Sequence, residues 1–200
     1  MTKQEYKKLL EDSKEQKVFI TSDWHFGHDR GFIINPRGFM TIEGHDAELI
    51  RRHNEVVGPD DEVYVLGDLM LGDNKAGLAA IAQLNGRLHI VCGNHDTDAR
   101  IEAYEKLPNV VEVCTAARFK WGKLNFYCSH WSTHTDNLEK ESINQCMICF
   151  FGHSHQKTNF HDDIPFIYHV GVDSHNCYPV LISDAVREIK EKAEECKAFL

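Results

Sequence analysis

No run in the 200 residues approaches the ~20 consecutive apolar positions that a membrane-spanning helix needs. The longest are a few residues, such as Cys146-Met147-Ile148-Cys149-Phe150-Phe151. The first 17 residues are polar and charge-rich and lack the apolar centre of a secretory signal, so a cytoplasmic chain without membrane contact is expected. Positive charge is also scarce. Lys and Arg number 22 against 31 Asp and Glu, a net charge of −9, and no basic stripe is present. A non-specific grip on the backbone of a long nucleic acid is thereby excluded, and any phosphate binding must be local. Paired cysteines are missing as well. The seven (92, 114, 128, 146, 149, 177 and 196) are an odd number lying mostly in apolar runs, which reads as reduced thiols. Cys146 and Cys149 fall in an expected strand, where odd spacing puts them on opposite faces, so neither a zinc site nor a redox pair is expected there. There is no internal repeat, low-complexity tract or linker-like shift in composition.

What remains is an ordinary globular composition, 42% apolar and 26% charged, and a length that suits one domain over residues 1–200. Short β-branched and aromatic runs at 17–22, 62–67, 88–92, 124–129, 147–152 and 166–171 read as strands. Helical periodicity marks 46–57, 75–84 and 98–107. Amphipathic terminal helices are expected at 183–200, starting from Ser183 or Asp184, and at 3–15. The first three strand-helix alternations predict an α/β layered fold, and the later strands a second sheet or an antiparallel extension.

The abundant residue is histidine, at 13. Segments leaving the expected strands carry Asp23-Trp24-His25, Gly67-Asp68, Gly93-Asn94-His95-Asp96, Ser129-His130 and Gly152-His153-Ser154-His155. In open α/β sheets the C-terminal strand edge is where ligands gather. Asp23/His25 and His153/His155 are i, i+2 pairs, which on an extended chain project to one side about 6.5 Å apart. The donors Asp23, His25, Asp68, Asn94, His130, His153 and His155 mix nitrogen and oxygen without thiolate. That set suits Mn, Fe, Zn or Ni rather than Ca or a cysteine-rich zinc site. Seven donors exceed the need of one open ion, so two ions bridged by Asp68 fit the count. Taken singly the blocks have plainer readings: Asp73 or Asn74 caps a helix near Lys75, and Asp96 or Thr97 caps one near Asp98. His45, His53, His89, His161, His169 and His175 read as surface or packing residues, and His134 is left unassigned.

In their order, D-x-H, G-D, G-N-H-D, H and G-H-x-H, these blocks resemble the signature of the calcineurin-like metallophosphoesterase superfamily over about two-thirds of the chain. Ser22-Asp23-Trp24-His25-Phe26-Gly27-His28, Arg37-Gly38-Phe39, Asn54 and the run from Asp61 to Asp68 are similar to its small bacterial and phage predicted phosphoesterases. The resemblance implies a four-layer αββα double β-sandwich flanked by helices. It also implies Asp23, His25 and His155 on one metal, Asn94, His130 and His153 on the other, and Asp68 between. Departures narrow it. Asp68 is followed by Leu69-Met70-Leu71-Gly72-Asp73, without the Asp-Arg-Gly of Ser/Thr protein phosphatases or the iron-binding Tyr of purple acid phosphatases. Trp131-Ser132 replaces the Pro that many small relatives carry after the third-block histidine.

The expected function is hydrolysis of a small phosphodiester, with two divalent transition-metal ions, manganese first, and a bridging hydroxide as the attacking group. His95, adjacent to Asn94 but not assigned to metal, is the expected general acid, with Asp96 or Asp73 to orient its ring. Alternatives are a phosphomonoesterase using the same site and a non-catalytic interaction scaffold. Aromatic residues Trp24, Phe26 and Trp131 stand beside the donors and either stack on a substrate or pack behind the loops. His28 and Arg37 are the expected phosphate contacts.

Overall fold

The computed structural model describes residues 16–135 and 142–198, so the helix expected at 3–15 lies outside the described residues. Among the described residues strand β1 (Val18–Thr21) comes first and is followed by a single helical turn, α1 (Gly31–Ile34), that runs into a 3-10 turn at Asn35–Arg37. Then come α2 (Ile42–Val56), β2 (Glu62–Val65), α3 (Asn74–Ile81), β3 (Arg87–Val91), α4 (Asp98–Tyr104) and β4 (Val110–Cys114). The second half holds β5 (Ala117–Trp121), β6 (Leu124–Cys128), β7 (Met147–Phe151), β8 (Ile167–His169), β9 (Val180–Leu181) and α5 (Ile182–Ala198).

Two sheets result, flanked by helices. The first has the order β4-β3-β2-β1-β9, parallel except for β9, and the second the order β5-β6-β7-β8, parallel from β6 onward. Strand alternation sorts the core. Phe19, Val63, Val65, Leu88 and Ile90 point to the helix side, where Leu49, Ile81 and Tyr104 meet them, while Ile20 and Val91 face the second sheet. From that sheet Phe126, Ile148, Phe150 and Tyr168 face inward, and Cys149, Phe151 and Ile167 outward. Between the sheets runs a column of stacked rings, Tyr64–Phe119 at 4.4 Å, Phe119–Phe126 at 5.2 Å and Phe126–Phe150 at 5.1 Å. Each such pair adds ~0.5–1.5 kcal/mol beyond its buried area. Helix α5 closes onto this core through Val186 and Ile189, and its Glu188 accepts from Tyr168 Oη and Asn159 Nδ2, both at 2.8 Å.

Helix α2 begins four residues before the expected 46. Thr41 caps it, accepting from Gly44 N at 3.2 Å, and its inner face is His45, Leu49 and His53, two histidines that mask the apolar spacing. Asp73 caps α3, accepting from Lys75 N and Ala76 N. Helix α5 starts directly after β9 at Ile182, ahead of the expected Ser183 or Asp184. At the C-terminal edge the two sheets are joined: Ser22 bridges Gly171, and Val172 N donates to Ser22 O at 3.1 Å.

Candidate metal centre

The loops leaving β1, β2 and β3 are zipped together. Asp23 N donates to Gly67 O, His25 N to Asp68 O and Phe26 N to Leu69 O, at 3.0–3.1 Å. Asp96 ties in the third loop, its Oδ2 accepting from Asp68 N and Gly93 N, both at 2.8 Å, and its Oδ1 from Tyr104 Oη at 2.9 Å. The approach is close enough that glycine is required at Gly93, where a Cβ would stand 2.3 Å from Asp68 Oδ1.

Within this frame the structure brings together two groups of donors whose ligand atoms lie within 4.8 Å of one another: Asp23, His25 and His155, and Asp68, His130 and His153. Asn94 joins the second group, with Oδ1 3.0 Å from His130 Nε2. Asp68 faces both, its Oδ2 3.7 Å from His25 Nε2 and 3.5 Å from His130 Nε2. The i, i+2 pairs are not on extended chain as the spacing suggested. Asp23, His25, Asp68, His153 and His155 all have left-handed backbone, φ between 48° and 66°. That conformation costs roughly 1–2 kcal/mol per residue, and Asp and His are among the few side chains that enter it readily. The turns let His155 join Asp23 and His25 while His153 joins the other group.

The donor chemistry fits divalent ions. His130 Nδ1 lies 2.7 Å from the Leu66 carbonyl, so it carries the proton and Nε2 presents a bare lone pair. That lone pair faces Asn94 Oδ1 at 3.0 Å and His153 Nδ1 at 3.2 Å. Likewise His155 Nδ1 donates to Asp173 Oδ2 at 2.7 Å, leaving its Nε2 bare 3.2 Å from His25 Nε2. Two lone pairs so directed, with further histidine nitrogens and two carboxylates around them, suit a cation. Burial pushes the His25 pKa down to about 2, with His155 and Arg37 adding to it, so this ring is neutral and ready to ligate. Burial also pushes the Asp23 carboxyl up to about 6, against the pull of His155 and His130.

Three expected catalytic or substrate residues are placed otherwise. Asp96 does not reach the His95 ring; it is 6% exposed and spent on the three loop N–H groups and Tyr104. Asp73 is equally committed, to the cap of α3. Arg37 is not a phosphate contact either. Its side chain is 1% exposed, donating Nε to Asp173 Oδ1 (3.0 Å), Nη1 to Trp24 O (3.1 Å) and Nη2 to Asp23 O and Asp173 Oδ2 (both 2.8 Å). His95 and His28 do stand at the rim. The His95 side chain is 40% exposed with Nε2 3.9 Å from Asp68 Oδ2, and the His28 ring lies 5.4 Å from that of His25. Trp24 and Phe26 are buried and pack behind the loops, whereas Trp131 is 48% exposed with its ring 6.2 Å from that of His153. Phe32, exposed and 5.7 Å from the His28 ring, flanks the other group.

Asp173 and His45 are functional neighbours that the sequence reading missed. Asp173 follows the apolar run ending at Gly171, the same strand-end position that flagged the ligands. Burial alone would raise its carboxyl, but the bonds from His155 and Arg37 outweigh it and hold it well below the usual carboxylate range. His45 is fully buried, bonding Asp46 Oδ1 through Nδ1 and Arg37 Nη1 through Nε2. His53 packs by α2, and His89 lies between Glu62 and Glu112. Cys92, Cys114, Cys128, Cys149, Cys177 and Cys196 are free thiols, and burial pushes Cys149 up to about 11, leaving it protonated packing material.

Residues 17–172 match the calcineurin-like phosphoesterase superfamily domain. Gene 66 protein of Mycobacterium phage D29 is 30% identical over 207 aligned positions, 89% of this chain and 98% of that protein. Uncharacterized protein MJ1445 of Methanocaldococcus jannaschii is 30% identical over 184 positions, 88% of this chain and 93% of its own. Among solved structures, a protein of unknown function from Aquifex aeolicus, AQ665, superposes with a TM-score of 0.62 at 21% identity, over 86% of this chain and 98% of that one, a likeness of fold.

Proposed function

This chain belongs to the calcineurin-like phosphoesterase superfamily, a family of metal-dependent hydrolases of phosphoesters, and we propose that its substrate is a small phosphodiester cleaved at a two-ion centre. The carrying observation is the pair of donor groups, Asp23/His25/His155 and Asp68/His130/His153, with the Asp68 carboxylate facing both. When bound, divalent ions so held supply a water of lowered pKa as the nucleophile and neutralise charge on the phosphoryl oxygens. Nitrogen and oxygen donors without thiolate favour manganese, with iron, nickel or zinc as competitors.

The chain's own residues do the rest. His95 is held by its backbone, not by its ring, so the exposed imidazole is free to carry a proton on Nε2 to the leaving oxygen. The backbone carbonyls of Asp23 and Trp24 are pinned by Arg37, which fixes the loop that presents two donors. Trp131 and Phe32 offer exposed ring faces on either side for a planar substituent, while His28 stands within reach of the phosphate. A net charge of −9 disfavours long nucleic acid, supporting a compact substrate. Six free thiols support a reducing compartment, proposed as the cytoplasm; among the described residues no helix is long and apolar enough to cross a membrane.

The test is hydrolysis of bis-p-nitrophenyl phosphate and p-nitrophenyl phosphate side by side, by metal-free protein and after addition of Mn, Fe, Ni or Zn. Faster turnover of the diester, dependent on added metal, is expected. Preference for the monoester transfers the assignment to a phosphomonoesterase. Absence of hydrolysis with all four metals leaves the non-catalytic scaffold.

A further inference from the structure

We propose that Arg37 and Asp173 form a buried positioning pair that sets the affinity of one ion only, that held by Asp23, His25 and His155. The inference rests on the two-ion reading above and adds to it an inequality between the two sites.

The bonds of the pair converge on that group. Asp173 accepts from His155 Nδ1 at 2.7 Å, which holds the proton on that nitrogen and turns Nε2 toward Asp23 and His25. Such a carboxylate behind a ligating histidine fixes both tautomer and ring orientation. Arg37 grips both oxygens of Asp173 in the bidentate manner, at 3.0 and 2.8 Å, so the carboxylate cannot rotate away. The same guanidinium binds the carbonyls of Asp23 and Trp24, the backbone that carries Asp23 and His25.

A second arm closes the circuit. Arg37 Nη1 donates to His45 Nε2 at 2.9 Å, His45 Nδ1 donates to Asp46 Oδ1 at 2.8 Å, and Asp46 Oδ2 accepts from Gly27 N at 2.9 Å, two residues beyond His25. All three donors of one group are thus held by a single network anchored in the Asn35–Arg37 turn and the first turns of α2. The bonds of the pair end on Asp23, Trp24, His45, His155 and Lys157. The other group has supports that the pair does not touch, His130 being oriented by the Leu66 carbonyl and Asp68 by the backbone of His95, and the two groups meet where His153 N donates to the Asp23 carboxylate at 2.9 and 3.1 Å. With Arg37 and Asp173 1% and 5% exposed, neither is available to substrate, which separates this role from a catalytic one.

The experiment reads metal affinity. Metal-free wild type, Asp173→Asn, His153→Ala and the combined His153→Ala/Asp173→Asn are titrated with Mn by calorimetry and with Co by visible absorption. Asp173→Asn leaves the Arg37 charge buried without its partner, which destabilises the fold. The neutral pair Arg37→Gln/Asp173→Asn is therefore run alongside, and thermal melting of each metal-free protein verifies folding. Wild type is expected to take two ions. Asp173→Asn and the neutral pair are expected to keep one near wild-type affinity and to weaken the other by roughly 10–100-fold, the usual effect of removing such a partner. In the His153→Ala background, where the ion of the Asp23 group remains, the same loss should appear, with a changed Co spectrum. Equal weakening of both ions, or an unchanged remaining ion in the combined variant, overturns the inference while leaving the two-ion reading intact. Wild type taking up a single ion overturns that reading and the inference with it.

Discussion

The backbone N–H of His95 donates to Asp68 Oδ1 at 2.9 Å, while the His95 ring stays 3.9 Å from Oδ2 of the same carboxylate. One residue therefore contributes twice by separable means. Its main chain fixes the carboxylate that faces both donor groups, and its side chain remains free at the rim. Substitution of the side chain leaves the first contribution in place.

His95→Ala should accordingly retain its metal and lose turnover. General-acid help contributes ~10²–10⁴-fold, and the loss should be largest for alkyl alcohols and smallest for p-nitrophenol, which leaves without a proton. Equal losses across leaving groups, in protein of wild-type metal content, would rule out proton donation.

Gly93→Ala places a methyl group 2.3 Å from Asp68 Oδ1 and 2.7 Å from Asp68 N. Overpacking of this kind costs ~1–3 kcal/mol, and the displaced atoms belong to the carboxylate between the donor groups. Thermal melting of the metal-free variant should show lowered stability, and metal analysis fewer ions than in wild type. A variant that melts and loads like wild type would mean that the three loops give way more easily than their hydrogen bonds imply.

His53 makes stability depend on pH. Its Nε2 donates to the Asn85 carbonyl at 2.9 Å, its Nδ1 is buried without a partner, and burial outweighs that bond to bring the pKa down to about 4 from the ordinary 6.5. Above about pH 6.5 the ring is neutral in both folded and unfolded chains, and its contribution is fully present. As pH falls toward 4 the unfolded chain takes up a proton that the folded one refuses, so stability falls, by up to about tenfold in the folding constant per pH unit. Urea unfolding of metal-free wild type and His53→Leu at about pH 7 and pH 5 should show a smaller loss in the variant; equal losses would remove His53 as a source of the slope.

Trp131→Ala and Phe32→Ala should separate recognition from chemistry. Stacking on an exposed ring is worth ~1–3 kcal/mol per base. KM for a p-nitrophenyl ester of a nucleoside monophosphate should therefore rise several-fold or more, and KM for methyl p-nitrophenyl phosphate should stay unchanged. Equal effects on both substrates would show that the rings support the loops rather than bind a base.

The strands that position the centre were legible because each is a short run with buried apolar residues, on both faces in β1, as with Phe19 and Ile20, and in alternation in β2 and β6. Edge strands β4 and β5 were not, since with one side open their residues are half or fully exposed and no apolar alternation survives, and β9 is only two residues long. The candidate donors were legible because Asp, Asn and His at a strand end have little packing use. Their supports were not. Arg37 looked like a phosphate ligand because a free arginine near a metal loop is one, and only the fold reveals Asp173, distant in sequence, occupying its guanidinium. Asp96 misled in the same way: a carboxylate next to His95 in sequence turns its oxygens toward the N–H groups of Asp68, Leu69 and Gly93.

The left-handed backbone at Asp23, His25, Asp68, His153 and His155 narrows what mutation can do at these positions. A replacement has to supply a donor atom and also tolerate a conformation that L-residues avoid. Glycine satisfies the second demand and fails the first, while glutamate, glutamine and cysteine bring donors but favour other backbone. For the two aspartates, asparagine and histidine meet both, and asparagine also keeps an oxygen of the same reach while surrendering the charge. Drift along this lineage should therefore run from Asp to Asn at positions 23 and 68, through intermediates that fold normally and bind metal more weakly. Loss of activity is then reached by a single base change without passing through a misfolded protein.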